Sequence, residues 1–301
     1  MKKKCSRKKI GAVLLSVMLS LGLALALAGC GGEETVQTQQ GNVATQANGV
    51  ANDPTASVVQ IHTKGVKPKK GHRGDAVPAD AEQTAAQTPY DNASVDLTGI
   101  DPEKPMIALT FDDGPGEGTE RILQVLTDNG AKATFFELGC NVEKYPDLTK
   151  KLVDAGMQVA SHSYSHPDLT TLSKKEVAKE ISKTENAMAQ AADHQPTMLR
   201  PPYGAINESV SSQLAYPIIL WDVDTQDWSS RNADAICAEV EAADPSDGDI
   251  ILFHDIYTSS AEAIERLVPQ FKQQGFQMVT VAQMLAAKGI DVQNGTTYCN
   301  A

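Results

Sequence analysis

The strongest constraint on the fold is an alternation of short apolar segments with longer amphipathic ones, which begins near Val95. Met106–Phe111 is an apolar run rich in residues that favour strands, and Pro105 and a Gly-Pro turn bound it. Thr119–Asn129 follows with helical spacing and stops at Gly130. Repeated strand–helix units require a parallel sheet with helices packed outside it. The alternation therefore predicts an α/β fold.

The same pattern continues through the rest of the chain. Helices are predicted over Tyr145–Ala155 and Lys174–Ala192, with others between the later strands. The further predicted strands are Ala133–Leu138, Gln158–Ala160, Met198–Leu199, Ile218–Trp221, Ile250–Phe253 and Gln277–Val279. About seven parallel strands in roughly 190 residues predict a distorted (β/α) barrel, slightly smaller than the eight-stranded barrel.

The first 29 residues have the pattern of a targeting signal. Basic residues up to Lys9 precede an apolar run from Ile10 to Ala28, which leads into Leu27-Ala28-Gly29-Cys30. This tetrad resembles the bacterial lipobox, which implies that Cys30 is lipidated and becomes the new N-terminus. An uncleaved transmembrane helix is the alternative, because the apolar run is nearly long enough to span a bilayer. Both interpretations place residues 31–301 outside the cytoplasm, anchored to the membrane.

Residues 30–94, which begin with the predicted lipid anchor, are predicted to be a flexible linker. They are rich in Gln, Thr, Ala, Asn, Gly and Pro and contain few large apolar side chains, so they cannot bury enough surface to offset the entropy of ordering. The basic segment 64–70 either contacts anionic wall polymers or phospholipid, or is a solvated run of charge. Residues 95–301 are then the predicted catalytic domain.

The charge of the chain excludes one class of partner. The whole chain has a formal net charge of −12, and residues 1–29 contain six basic side chains and no acid, so the remainder carries −18. Nucleic acid phosphates would repel such a body. We therefore expect no nucleic acid partner, and nothing in the sequence predicts a protein partner.

Polar residues cluster where the predicted strands end, which is where barrels of this class place their chemistry. Asp112 and Asp113 follow the first strand. Adjacent carboxylates repel each other unless a cation or hydrogen bonds offset the repulsion, and successive side chains on a strand diverge. We therefore expect one acid to bind a metal and the other to stay free. A solvated Asp-Gly-Pro turn is the alternative.

Two histidines follow the third predicted strand. His162 and His166 are four residues apart, and their imidazoles can chelate one ion if the segment is helical or tightly turned. Two surface histidines are the alternative. Together with an aspartate they would form a His-His-Asp site with open positions, which is what a catalytic zinc ion needs.

Later strand ends carry further candidates. Arg200 precedes Pro201 and Pro202, which fix the backbone and hold the guanidinium ready to pair with a carboxylate. His254 lies just past the sixth strand and is a candidate proton donor, the alternative being a packed or capping histidine. The segment Trp221–Trp228 contains three acids and both tryptophans, and an acidic loop with aromatic packing is the alternative there.

Read in chain order, these clusters resemble the five motifs of the polysaccharide deacetylase family, also called the NodB-homology domain or carbohydrate esterase family 4. The motifs are TFDDGP, HSYSH, RPPYG, WDVDTQDW and LFH, and the similarity covers roughly residues 104–290. The resemblance implies a divalent metal, usually zinc with cobalt as an alternative, bound by Asp113, His162 and His166.

The resemblance also implies roles for the other motif residues. Asp112 is expected to be the catalytic base, oriented by Arg200, and His254 the catalytic acid, paired with Asp227. The Tyr203 backbone N–H is expected to help hold the oxyanion. The expected substrate-binding residues are Tyr203, Pro202, Trp228 and Leu252.

The activity that the resemblance implies is the hydrolysis of N-acetyl groups from a polysaccharide. The lipobox-like tetrad supplies the place, because an enzyme anchored at the outer face of the membrane meets the cell wall first, and the expected substrate is therefore N-acetylglucosamine in peptidoglycan. A deacetylase of chitin or of another exopolysaccharide, or a xylan O-acetyl esterase, is the enzymatic alternative. A lipoprotein that binds sugar without catalysis is the alternative from a different class.

Overall fold

The structure, a computed structural model, describes residues 90–301 of the chain. The predicted signal segment 1–29, the lipidation site at Cys30 and residues 30–89 of the predicted linker lie outside the described residues, so these stay predictions. The last five residues of that linker, 90–94, are described: Asn92–Ser94 form a 3-10 helix, and the Asn92 side-chain amide donates to the Ile290 carbonyl at 2.6 Å, so the ordered domain begins before residue 95. Within residues 90–301, no helix combines the length and apolarity needed to cross a bilayer.

The described part of the chain is built on parallel strands. They are β1 (Met106–Asp112), β2 (Thr134–Glu137), β3 (Gln158–Ser161), β4 (Ile218–Ile219), β5 (Val223–Asp224), β6 (Ile250–His254), β7 (Gln277–Met278) and β8 (Thr297–Tyr298). The main sheet has the order β3-β2-β1-β6-β5, and β7 pairs with the first two residues of β1. Leu199 bridges Ser161 of β3 to Ile218 of β4, which in turn pairs with β8.

Nine α-helices connect and cover the strands in residues 90–301. They are α1 (Thr119–Asn129), α2 (Gly139–Lys144), α3 (Pro146–Asp154), α4 (Lys174–Ala192), α5 (Glu208–Ser211), α6 (Asp227–Ser230), α7 (Ala233–Ala243), α8 (Thr258–Gln273) and α9 (Val281–Ala287). The predicted class, a distorted (β/α) barrel with parallel strands and outer helices, is confirmed.

Local capping explains where helix α1 ends and where helix α4 begins. Helix α1 ends at Gly130, whose left-handed backbone (φ 66°) suits glycine. Helix α4 begins with a capping box, in which the Ser173 side chain accepts from the Glu176 N–H and the Glu176 side chain accepts from the Ser173 N–H. Both helices have the predicted bounds.

The sequence did not predict β5, β8 or α2. Each of these two strands is two residues long, too short to show a periodic pattern, and each exists because a neighbouring strand pairs with it: Val223 with Ile251, and Ile218 with Thr297. Helix α2 has only six residues and follows β2 directly, so its sequence shows little helical spacing.

Strand β1 packs against apolar clusters on both of its faces, and this packing fixes the position of its carboxyl end. Ile107, Leu109 and Phe111 belong to a large apolar cluster with α1, α7 and α8. Met106 and Ala108 belong to a second cluster on the opposite face. Because side chains alternate along a strand, Thr110 and Asp112 project on the same side as Met106 and Ala108.

Candidate active site

The two adjacent acids at the end of β1 face different partners. Asp112 is the last residue of the strand and is buried. Asp113 has a left-handed backbone (φ 71°), a conformation that aspartate tolerates better than most residues. The strand therefore ends in a turn that separates the two carboxylates, as the sequence predicts.

The second carboxylate meets the two histidines of the HSYSH segment. Asp113 Oδ1 lies 3.5 Å from His162 Nε2 and 3.3 Å from His166 Nε2. One ligand atom from each of the three residues lies within 4.8 Å of the other two. The segment is tightly turned rather than helical, because Ser163 (φ 71°) and His166 (φ 62°) are both left-handed.

The donor set at this cluster fits a divalent cation. His162 Nδ1 lies 2.7 Å from the Arg200 carbonyl oxygen, which can only accept, so Nδ1 carries the proton and Nε2 carries the lone pair. Burial lowers the pKa of His162 to about 3, so the ring is neutral. Asp113 Oδ1 is buried and accepts no hydrogen bond from any described residue. The lone pair of His162 Nε2 and the unpaired Asp113 Oδ1 face each other, and a cation between them would satisfy both.

The first carboxylate is held by a buried arginine. Arg200 Nη1 donates to Asp112 Oδ1 at 2.7 Å and to Thr110 Oγ1 at 2.8 Å, and Nη2 donates to the Leu220 carbonyl at 3.0 Å. The guanidinium lies 4.1 Å from the centre of the Phe136 ring. Burial raises the pKa of the Asp112 carboxyl, and the charge of Arg200 opposes that shift. Asp112 is thus an oriented carboxylate with increased basicity.

A histidine–aspartate pair occupies the end of β6. Asp227 Oδ1 lies 2.8 Å from His254 Nδ1, and Asp227 Oδ2 accepts from the His254 backbone N–H and the Ser260 hydroxyl, both at 2.6 Å. Burial works against a charged ring here, but the hydrogen bond and charge of Asp227 outweigh it and raise the pKa of His254 to about 9. The imidazole is therefore protonated at neutral pH.

The predicted substrate contacts differ in exposure. Tyr203 is 70% exposed, with a left-handed backbone (φ 60°), and its ring lies 4.5 Å from the His166 ring in an edge-on arrangement. Trp228 is 49% exposed and directly follows Asp227, whereas Pro202 and Leu252 are buried. Exposed aromatic rings beside a polar site suit stacking on a sugar. The roles of these four residues stay predictions.

Sequence reasoning missed three polar residues that contact the site loops. Asn141 and Glu180 bind the loops that carry Asp113 and the histidines. Asp255 is fully buried and accepts from the Thr119 hydroxyl at 2.6 Å, and burial raises its pKa to about 7. Asp255 was findable, since it adjoins His254 at a strand end. Glu180 lies within α4, where no sequence signal marks it.

Comparison with known proteins gives a consistent result. The sequence model of a family described as polysaccharide deacetylase matches residues 99–217. The chain is 43% identical over 190 residues to the peptidoglycan-N-acetylmuramic acid deacetylase PdaC of Bacillus subtilis (strain 168), a match that covers 63% of this chain and 40% of PdaC. It is 43% identical over 193 residues to the peptidoglycan-N-acetylglucosamine deacetylase PgdA of Listeria monocytogenes (serotype 1/2a, strain 10403S), which covers 64% of this chain and 41% of PgdA.

The matched region spans about two fifths of the length of these two curated relatives. Among solved structures, one described as T48 deacetylase with substrate aligns with a TM-score of 0.63 at 40% identity. That alignment covers 68% of this chain and 100% of the other.

Proposed function

The chain belongs to the polysaccharide deacetylase family, and from this premise we propose that it is a metal-dependent hydrolase that removes N-acetyl groups from N-acetylglucosamine in cell-wall peptidoglycan and releases acetate. The observation that carries the proposal is the convergence of Asp113, His162 and His166. Beside that cluster stands a separate carboxylate, with Asp112 Oδ2 3.7 Å from His162 Nε2. A ligand set next to an independent base is what amide hydrolysis requires.

Asp113, His162 and His166 would hold the divalent ion, for which zinc is the proposed identity and cobalt the alternative. When bound, the ion would polarise the acetamide carbonyl and lower the pKa of water. An aspartate with two imidazoles leaves coordination positions open, as catalytic rather than structural zinc sites do.

The chain's own residues then move the protons. Asp112, oriented by Arg200, takes a proton from the attacking water, and its raised pKa makes it a better base. His254 is protonated and held through Nδ1 by Asp227, so Nε2–H remains available to the departing nitrogen. Burial raises the pKa of Asp112, which makes it a stronger base, and Asp227 raises the pKa of His254, which keeps that ring protonated. A carboxylate base and an imidazolium acid can therefore act in the same site.

The substrate is held by the residues around these groups. The Tyr203 backbone N–H donates to the developing oxyanion. Trp228 and Leu252 surround the acetyl methyl group, and Pro202 fixes the backbone next to Tyr203. A donor aimed at the charge that forms in the transition state is worth about 10²- to 10³-fold in kcat in comparable sites.

The proposed location is the outer face of the cell membrane, with lipid attached at Cys30 and residues 31–89 serving as a spacer to the wall. The lipobox-like tetrad supports this. A Cys30→Ala variant should fail to incorporate labelled fatty acid and should leave the membrane fraction. Unchanged fatty-acid labelling of that variant would overturn the anchor assignment.

A second candidate substrate is N-acetylmuramic acid, because the similarity to PdaC equals that to PgdA. The deciding experiment treats purified muropeptides with the whole chain and Zn²⁺, and then locates the lost acetyl group by fragmentation in a mass spectrometer. Chitin oligomers and acetylated xylan serve as comparison substrates. Loss from N-acetylglucosamine supports the proposal, loss from muramic acid favours the second candidate, and no acetate from any glycan would leave only the sugar-binding lipoprotein.

A further inference from the structure

The turn from β2 into α2 contacts the loop that carries Asp113. The Leu138 N–H donates to the Gly114 carbonyl at 2.9 Å. The Asn141 side-chain amide donates to the Asp113 carbonyl at 2.7 Å. Because Asp113 has a left-handed backbone, its peptide orientation depends on such outside partners. The Asn141 bond therefore helps to fix the direction in which the Asp113 carboxylate leaves the main chain.

The same turn also contacts the loop between the two histidines. The Gly139 N–H donates to the Ser163 carbonyl and the Cys140 N–H donates to the Tyr164 carbonyl, both at 3.0 Å. Glycine is required for this approach, since a Cβ at position 139 would lie 2.7 Å from Tyr164 Cδ2. One short segment thus binds the loops that bear all three predicted ligands.

Glu180 of α4 holds the histidine loop through a different set of atoms. One of its carboxylate oxygens accepts from the Tyr164 N–H at 3.0 Å and from the Ser165 N–H at 2.8 Å, while the other accepts from the Ser165 hydroxyl at 3.0 Å. Tyr164 and Ser165 are two of the three residues between the two predicted ligands. The loop has left-handed residues at Ser163 and His166, a conformation that persists only when the surroundings enforce it.

We propose that Asn141 and Glu180 are positioning residues for the metal site. Asn141 sets the turn that aims Asp113, and Glu180 sets the loop that aims the two histidines, so the three ligands are assembled before the ion arrives. The proposal rests on the proposed function to the extent that this cluster binds a metal. Neither residue is one of the three proposed ligands.

The affinity of the whole chain for Zn²⁺, measured by competition with a chromophoric chelator, tests the role of Glu180. Glu180→Ala should raise the dissociation constant about 10- to 100-fold, the usual effect of removing a group that orients metal ligands. Glu180→Gln should restore most of the affinity, because its amide oxygen can accept both N–H groups and its NH₂ can donate to the Ser165 hydroxyl oxygen.

The matched control is Glu176→Ala, one turn earlier on α4. Glu176 belongs to the capping box and contacts only Ser173 among the described hydrogen bonds. Its loss should lower the melting temperature of the metal-free chain and leave the Zn²⁺ dissociation constant unchanged. The contrast separates a role in stabilising α4 from a role in positioning the histidines.

Asn141→Ala should likewise raise the Zn²⁺ dissociation constant about 10- to 100-fold. Its matched control is Asn129→Ala, which removes the same kind of bond, a side-chain amide donating to the Val125 carbonyl at 2.8 Å, within helix α1. The visible spectrum of the Co²⁺-loaded chain provides a second measurement, and it should change in Asn141→Ala but not in Asn129→Ala.

The outcomes separate this inference from the proposed function. Wild-type affinity in both Glu180→Ala and Asn141→Ala, or equal weakening in the two control variants, would overturn the positioning roles alone. A wild-type chain that binds no Zn²⁺ would overturn the metal-dependent function itself.

Discussion

Replacement of Asp227 by asparagine is the sharpest test of the proposed proton donor. The Asp227 side chain is fully buried and that of His254 is 13% exposed, so water screens their 2.8 Å contact only weakly. Asparagine keeps the size of the side chain but removes the charge that stabilises the imidazolium. The same substitution leaves the proposed base and metal ligands in place.

The expected shift can be worked from the pKa of His254. It lies at about 9, against an ordinary value of about 6.5 for histidine. This gap of about 2.5 units corresponds to roughly 3.4 kcal/mol. In the variant, burial offsets the weaker attraction of Asp112 and Asp113, so we expect a pKa at or below about 6.5. At pH 7.5 the protonated fraction then falls from about 97% to about 9% or less.

Acetate release measured against pH, at saturating metal, is the assay. Activity requires the protonated ring, so the wild type should lose activity as the pH rises through about 9. The variant should lose it through about 6.5 or below, and should be at least about tenfold slower at pH 7.5. Ser260→Ala is the control, since it removes only a hydroxyl that donates to Asp227 and should move the basic limb less. A basic limb that stays near its wild-type position in Asp227→Asn would show that Asp227 does not set the pKa of the proton donor.

Three further substitutions test the remaining roles. Asp112→Asn should keep stoichiometric metal but lose nearly all acetate release, and normal turnover would contradict the base assignment. His162→Ala should lose the metal, and stoichiometric zinc in the purified variant would contradict the ligand assignment. Arg200→Met should lower the free energy of unfolding in urea by about 3–5 kcal/mol, because it leaves the Asp112 charge buried and unpaired. Unchanged stability would show that the Arg200–Asp112 pair contributes little.

The fold was predictable wherever local chemistry and long-range packing agree. Helix α1 carries its own stop signal at Gly130, and α4 carries its own capping box, so both have the predicted bounds. Strands β5 and β8 have no comparable local signal. They form because β6 and β4 offer free edges to them, and a free edge is a property of the folded sheet rather than of either segment.

The residues of the candidate site likewise fall into those that the sequence predicts and those that it does not. Asp112, Asp113 and His254 were predictable because the carboxyl ends of neighbouring parallel strands meet at one edge of the sheet, and β1 pairs directly with β6. Glu180 was not predictable, because its role depends on which loop α4 packs against. The hydrogen bond from His162 Nδ1 to the Arg200 carbonyl was equally unpredictable, because every residue has a carbonyl and only the folded chain determines which one faces His162.

Arg200 contacts both the proposed base and a proposed metal ligand, which its motif alone does not show. Its side chain binds the proposed base, while its carbonyl fixes the tautomer of a proposed metal ligand. Its N–H donates to the Ser161 carbonyl at 2.9 Å, and Pro201 and Pro202 restrict the backbone that follows. One immobile residue therefore sets the orientation of the base and the donor atom of the ligand together, before any substrate arrives. Because a side-chain substitution at Arg200 keeps the carbonyl, such a variant should lose activity through the misplaced base while it retains the metal, and its measured metal occupancy tests this.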